Sequence, residues 1–172
     1  IGVPGSSGYL AFWVNQKIMD NAGITSIDTK EDFKKYMSAA SVNGTYGYGG
    51  SWEKTYVFNE IAQFVNMFGG DYFDWTRPEN KEAIQFLYDM VKNNETPIDQ
   101  IADKYEQMNP KANDGKYGCW FMWGLGSDYQ KAGMLGDDKI HMAMVPSMTD
   151  DGNRAIFTDS WSYVLNSASK NK

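Results

Sequence analysis

The chain has 172 residues, 42% hydrophobic and 15% aromatic, enough for one domain with a sizeable core. Its net charge of -6 and pI near 4.7, with both signs interspersed, argue against nucleic acid or an anionic membrane surface as partner. A single cysteine excludes a disulfide framework or a multi-cysteine zinc site, and no run approaches the ~18 apolar residues of a membrane span.

Tyr9–Asn15, YLAFWVN, is apolar or aromatic at nearly every position, the pattern of a strand covered on both faces. KIMDNAGI predicts a short helix stopped by Gly23 in a left-handed cap. In SIDTKEDFKKYMSAA, Asp28 or Thr29 caps a helix, with Glu31 or Asp32 three residues on. Phe33, Tyr36, Met37 and Ala40 then form one apolar stripe. Gly44–Gly50 reads as a strand ending in a glycine loop. A longer helix is predicted from about Lys54 to Phe68, with Val57, Ile61, Phe64, Val65 and Phe68 on one face, stopped by Gly69-Gly70.

Pro78 opens the next predicted helix, whose stripe is Ile84, Leu87, Tyr88 and Val91. DQIADKYEQMN is expected to be helical until Pro110 breaks it. Lys116–Trp123 reads as a buried strand, GSDYQKAGM as a short helix and KIHMAMVP as an alternating strand. TDDGN is a turn signal, followed by strands at RAIF and at Ser160–Asn166. The mixture predicts an α/β (α+β) fold with a small central sheet and flanking helices.

Few residues carry reactive chemistry. His141, the lone histidine, sits in an alternating strand, and Cys119 lies in an apolar run that gives no reason for a lowered pKa; a Cys119–His141 dyad is therefore a remote reading. Asp71 and Asp74 are a carboxylate pair beside aromatics, the raw material of a glycosidase, although such pairs usually cap or face solvent. TDDGN lacks the spacing and closing Glu of a calcium loop. Without a P-loop, dinucleotide fingerprint or nucleophile elbow, no cofactor, metal or catalytic residue is expected.

The aromatic load stands out: Trp13, Trp52, Trp75, Trp120, Trp123 and Trp161, with eleven tyrosines. Trp52, Trp123 and Trp161 fall at predicted element ends beside Gly, Ser or Asp, where ligand pockets form. Flat aromatic faces pack on the C–H faces of sugar rings, and neighbouring carboxylates accept hydrogen bonds from sugar hydroxyls.

The order of the motifs resembles the bacterial extracellular solute-binding proteins of family 1, the sugar receptors of ABC importers. IGVPGSSGYLAFWVNQKIMDNAGI, DTKEDFKKYM, FGGDYFD, DGKYGCWFMWG and DSWSYVLNSASKNK carry the likeness, in order, over nearly the whole chain. Asp159-Ser160 replaces the usual Gly-Gly before Trp161, and Lys30 stands where a Trp is common. The resemblance implies a second, C-terminal lobe of a two-lobed periplasmic-binding-protein-like fold over residues 1–172. Residues 1–12 and 160–166 would be the hinge-crossing strands, with the first lobe, the terminal helices and any signal or lipoprotein segment outside this chain. It further implies a non-catalytic, extracytoplasmic and monomeric receptor that captures a carbohydrate, an oligosaccharide by expectation, and delivers it to ABC permease subunits. The residues expected on the ligand are Tyr9, following a Ser6-Ser7-Gly8 turn, Trp52, Tyr56, Trp123, Asp159 and Trp161. The alternatives are a polyamine or peptide receptor on the same fold, a glycosidase-like domain using Asp71 and Asp74, and an adhesion module.

Overall fold

The computed structural model describes residues 2–124 and 127–170. Ile1, the expected helix start at Gly126 and the closing Asn171-Lys172 of the last motif lie outside them. The architecture is built on β1 (Gly2–Asn15), whose two halves do different work. Its C-terminal half, Leu10–Asn15, is buried in the middle of a sheet, between β3 (Tyr117–Trp123) and β4 (Ile140–Ala143), both antiparallel to it. β2 (Tyr46–Gly49) extends the sheet in parallel on the far side of β3. The N-terminal half of β1 leaves the sheet and pairs antiparallel with β5 (Thr158–Val164) as an exposed ribbon, with a register shift between Pro4 and Ser6. Ser6-Ser7-Gly8 is therefore strand within this ribbon, not the turn expected ahead of Tyr9.

Burial on both faces explains the unbroken apolar run of β1. Leu10, Phe12 and Val14 face a cluster formed with α1 (Gln16–Asn21), α2 (Lys30–Ala40), α3 (Val57–Met67) and α4 (Pro78–Lys92). Ala11 and Trp13 face a second cluster with α5 (Tyr105–Asn113) and α6 (Ser127–Lys131). The result is a mixed α/β layer structure with helices on each side of one small open sheet. The buried indoles here are satisfied: Trp13 Nε1–H donates to the Met122 carbonyl at 3.2 Å and Trp120 Nε1–H to Tyr129 Oη at 2.8 Å. β2 lies so close to α2 that a Cβ on Gly47 would meet the Met37 backbone at 2.4 Å.

Local signals set α1 and α2 as expected. Gly23 takes a φ of +69° after α1. Thr29 and Asp32 form a reciprocal capping box, and Phe33, Tyr36, Met37 and Ala40 are buried.

Four further expectations need correction. α3 begins at Val57 rather than Lys54, and it buries Asn59, Glu60 and Gln63 along with its apolar stripe. α4 turns Ala83, Phe86, Leu87 and Met90 inward, leaving Ile84 and Tyr88 exposed. The phase is set by Phe86, whose ring meets Phe33, Phe64 and Phe68 at 5.9, 6.0 and 5.5 Å. Pro110 sits inside α5 instead of ending it. The bond it cannot donate would reach the carbonyl of exposed Glu106, while buried Met108 and Ala112 pin the helix on either side of the proline. RAIF is not a strand; a glutamine side chain stands in for a partner. Gln63 Nε2–H donates to the Ala155 carbonyl at 2.9 Å, and its Oε1 accepts from Phe157 N–H at 2.6 Å.

The rotated phase of α4 is testable by urea unfolding. Phe86→Ala should cost about 3–5 kcal/mol, whereas Tyr88→Ala should stay within about 0.5 kcal/mol of the parent.

Candidate ligand site

Where the β1–β5 ribbon leaves the sheet and β3 ends, a cavity of about 430 Å³ opens between Ser6, Ser7, Gly8, Tyr9, Trp123, Gly124, Asp159 and Trp161. Four of the six residues singled out in the sequence, Tyr9, Trp123, Asp159 and Trp161, meet there. Strand pairing accounts for the convergence: Leu10 opposes Trp123, Tyr9 opposes Thr158, and Gly8 opposes Asp159.

The carboxylate of Asp159 is held at both ends. Its Oδ1 accepts from Gly8 N–H at 3.0 Å and its Oδ2 from the Trp161 indole N–H, also at 3.0 Å. Lone pairs remain on both oxygens for further donors. Gly8 permits this approach, because a Cβ there would sit 2.8 Å from Asp159 Oδ1 and 3.3 Å from the Trp123 ring. Trp161 is 70% exposed and Tyr9 46%, so both rings are open to a ligand.

Trp123 is fixed rather than free. Its Nε1–H donates to Tyr105 Oη at 3.0 Å, and its ring meets Phe157 edge-on at 6.1 Å. Tyr105 Oη also accepts from Asn59 Nδ2–H at 3.0 Å, and burial pushes its own pKa up to about 12, so it stays a neutral hydroxyl. Tyr56, expected on the ligand, stands one layer back, its ring 4.5 Å from that of Tyr105. Neither Tyr105 nor Asn59 was singled out in the sequence, and no local pattern marks them.

Trp52 does not line this cavity. Its indole N–H donates to Glu60 Oε2 at 2.9 Å, beside Tyr48 Oη–H on the same oxygen at 2.5 Å and Ser51 N–H on Oε1 at 2.8 Å. Glu60 is buried in α3, and desolvation raises its pKa despite the three donors. This carboxyl clamps the Gly50–Trp52 loop to the helix, a role invisible to a reading of α3 as a simple amphipathic stripe.

The catalytic alternatives find no support in the geometry. Cys119 and His141 pair with opposite sides of Val14, which puts them about 10 Å apart across β1. Burial drives the Cys119 thiol pKa up, and the thiol donates to the Gly47 carbonyl at 3.2 Å. Asp71 accepts from Phe73 N–H, and Asp74 accepts from both the N–H and the hydroxyl of Thr76. The Thr76 bonds lower the Asp74 pKa, the reverse of what a general acid needs, and the carboxyl stays ionised at neutral pH. Among the described residues, no group of three or more His, Cys, Asp or Glu is arranged to hold a metal ion, and no helix is long and apolar enough to cross a membrane.

Burial of Glu60 has a measurable consequence. A carboxyl whose folded pKa lies above its ordinary value of 4.5 contributes stability that is full below 4.5 and is lost as pH rises through the folded value. Unfolding free energy measured across that window should fall with pH in the parent, and Glu60→Gln should flatten the difference curve. An unchanged slope in the variant would remove Glu60 as its source.

Comparison with known proteins agrees with this architecture. The family described as bacterial extracellular solute-binding protein matches residues 1–172. A search of curated proteins finds no match. Among solved structures, maltose-bound MalE3 of T. maritima superposes with a TM-score of 0.77 at 18% identity, covering 94% of this chain and 44% of that one. A sugar transporter from Arthrobacter chlorophenolicus A6 with bound laminaribiose gives 0.79 at 18% identity, covering 91% and 41%. An ABC substrate-binding protein from Listeria monocytogenes, in complex with cycloalternan, gives 0.75 at 18%, covering 98% and 44%. The chain thus spans less than half the length of these structures, and its fold is periplasmic-binding-protein-like. The chain belongs to the bacterial extracellular solute-binding protein family.

Proposed function

We propose that this chain is the second lobe of a two-lobed receptor that captures a carbohydrate outside the cytoplasm and hands it, chemically unchanged, to an ABC permease. The observation that carries the reading is the cavity at the ribbon exit, where Tyr9, Trp123 and Trp161 surround a carboxylate already oriented by Gly8 and Trp161. Stacking faces beside a pre-oriented acceptor suit a polyhydroxylated ring. The solved neighbours named above hold maltose, laminaribiose and cycloalternan.

The ribbon supports the two-lobe part of the reading. Val3, Trp161, Tyr163 and Val164 are all exposed on two strands with no third beside them among the described residues. A two-stranded ribbon is marginal in water by itself, and apolar groups along it call for a cover. A second lobe meeting this one through crossings at residues 1–12 and 160–166 supplies that cover and the other half of the ligand site. Hinge rotation then closes the lobes, and ligand shifts the open–closed equilibrium by binding the closed state better. The closed, monomeric receptor, free or lipid-anchored, is the form that docks on the permease.

Half a cleft makes roughly half the contacts, so this chain alone should bind at about millimolar where the whole receptor binds at about micromolar. In the whole receptor, a sugar at 100 times its Kd should add about 2.7 kcal/mol of stability, read as a thermal shift across a panel of sugars, polyamines and peptides. Trp123→Ala and Trp161→Ala should each weaken the responding sugar at least about tenfold, close to 1.4 kcal/mol. Phe73→Ala, exposed and outside the cavity, should leave it unchanged. A response to spermidine alone would move the reading to a polyamine receptor, and unchanged affinity in both tryptophan variants would displace the site.

A further inference from the structure

Trp123 is held from two sides, and both supports lead back to one helix. Its indole N–H donates to Tyr105 Oη at 3.0 Å, and the same oxygen accepts from Asn59 Nδ2–H at 3.0 Å. Its ring meets Phe157 edge-on at 6.1 Å, and Phe157 N–H donates to Gln63 Oε1 at 2.6 Å. Asn59 and Gln63 stand four residues apart on α3, so they share one face of the helix, about 6 Å apart along its axis. Asn59, Tyr105, Trp123, Phe157 and Gln63 thus form a closed circuit, completed by a single helical turn.

Phe157 ties this circuit to the root of the ribbon. It immediately precedes β5, and its carbonyl accepts from Leu10 N–H at 2.9 Å, the point where β1 enters the sheet. Gln63 secures the segment twice, because its Nε2–H also donates to the Ala155 carbonyl at 2.9 Å. A carbonyl and an N–H two residues apart are the groups that one residue of a parallel strand would serve. Both amides are buried, and each is spent on groups outside α3. The helix itself does not need those bonds, since Phe64 and Val65 already pack it into the core. An apolar residue would fill either space without desolvating an amide; what the amides add is direction.

Resting on the carbohydrate reading above, we infer that Asn59 and Gln63 are positioning residues, which together hold the Trp123 ring and the root of the β1–β5 ribbon as one rigid unit. Neither lines the cavity. They act by fixing the angle of the indole and the point from which the ribbon departs.

NMR of the whole receptor carrying isotope-labelled tryptophan tests this without a ligand, the Trp123 indole signal being assigned by its loss in Trp123→Phe. Gln63→Met keeps the side-chain bulk and removes both hydrogen bonds, and Asn59→Ala removes the donor to Tyr105. Each should shift or broaden the Trp123 indole signal and leave those of Trp13 and Trp120, buried in the same lobe, in place. Tyr105→Phe, which keeps the ring and removes the shared acceptor, should reproduce the Asn59→Ala shift, and combining the two should add nothing further. Calorimetry with maltose and laminaribiose as probes reads the consequence: for a probe that the parent binds, Gln63→Met and Asn59→Ala should each weaken affinity at least about tenfold. A Trp123 signal unmoved in both variants, or Trp13 and Trp120 signals moving with it, would overturn the positioning role. A moved indole with unchanged affinity for a bound probe would uphold the positioning and displace the ligand from Trp123, which separates failure of the carbohydrate site from failure of this inference.

Discussion

The structure depends on one strand being asked to satisfy two environments. Up to Tyr9, β1 lies in water and is paired on one side by β5; from Leu10 it is buried on both faces and paired with β3, and from Phe12 β4 takes its other edge. The change falls within a single residue step, and the sequence changes with it, from small residues and proline to an uninterrupted apolar run. A buried strand without both neighbours would leave backbone groups unpaired in a dry interior, so β3 and β4 are obligatory. The exposed half tolerates a single partner because water satisfies its free edge. The candidate ligand site lies at that boundary, where strand pairing delivers residues distant in sequence to one rim.

Two carboxylates illustrate how the same group serves different ends under different burial. Asp159 is near solvent, and its two bonds leave it open to further donors. Glu60 is buried, and three donors fill its environment, joining β2, the loop after it and α3. Desolvation outweighs those donors and raises its pKa. A fully buried carboxyl of this kind fixes geometry more effectively than it adds stability. Trp52, held by it, is therefore part of the scaffold behind the site, although it looks in the sequence like Trp123 and Trp161.

What was legible in the sequence was what short-range chemistry decides. Thr29 and Asp32 cap α2 because both partners lie within one turn, and Gly23 ends α1 because only its own backbone is involved. Trp123 and Trp161 stand out as tryptophans at predicted element ends and Tyr9 and Asp159 through the family resemblance, although Tyr9 lies within β1 and Asp159 and Trp161 within β5. The rest required distant partners. The phase of α4 was decided by Phe33, Phe64 and Phe68 around Phe86, against an equally plausible stripe through Ile84 and Tyr88. Pro110 is accommodated in α5 with Met108 and Ala112 buried around it, and RAIF is held by partners distant in sequence: Arg154 by the Val145 carbonyl and Asp28, Ala155 and Phe157 by Gln63, and Phe157 also by Leu10 N–H. Tyr105 supports Trp123 from a helix start that carries no mark of it.

The bonding of Asp159 also links the site to the ribbon. One oxygen is tied to the backbone of β1 and the other to a side chain of β5, so the carboxylate reports the relative twist of the two strands. Trp123, by contrast, is anchored to α5 through Tyr105 and belongs to the rigid layer. The cavity is thus bounded by one wall that follows the ribbon and one that does not. If the ribbon is a hinge, any twist between its strands changes the distance between the hydrogen-bond acceptor and the stacking platform. A ligand bound to both would then favour one twist over the others, which is the differential interaction that coupling of capture to closure requires.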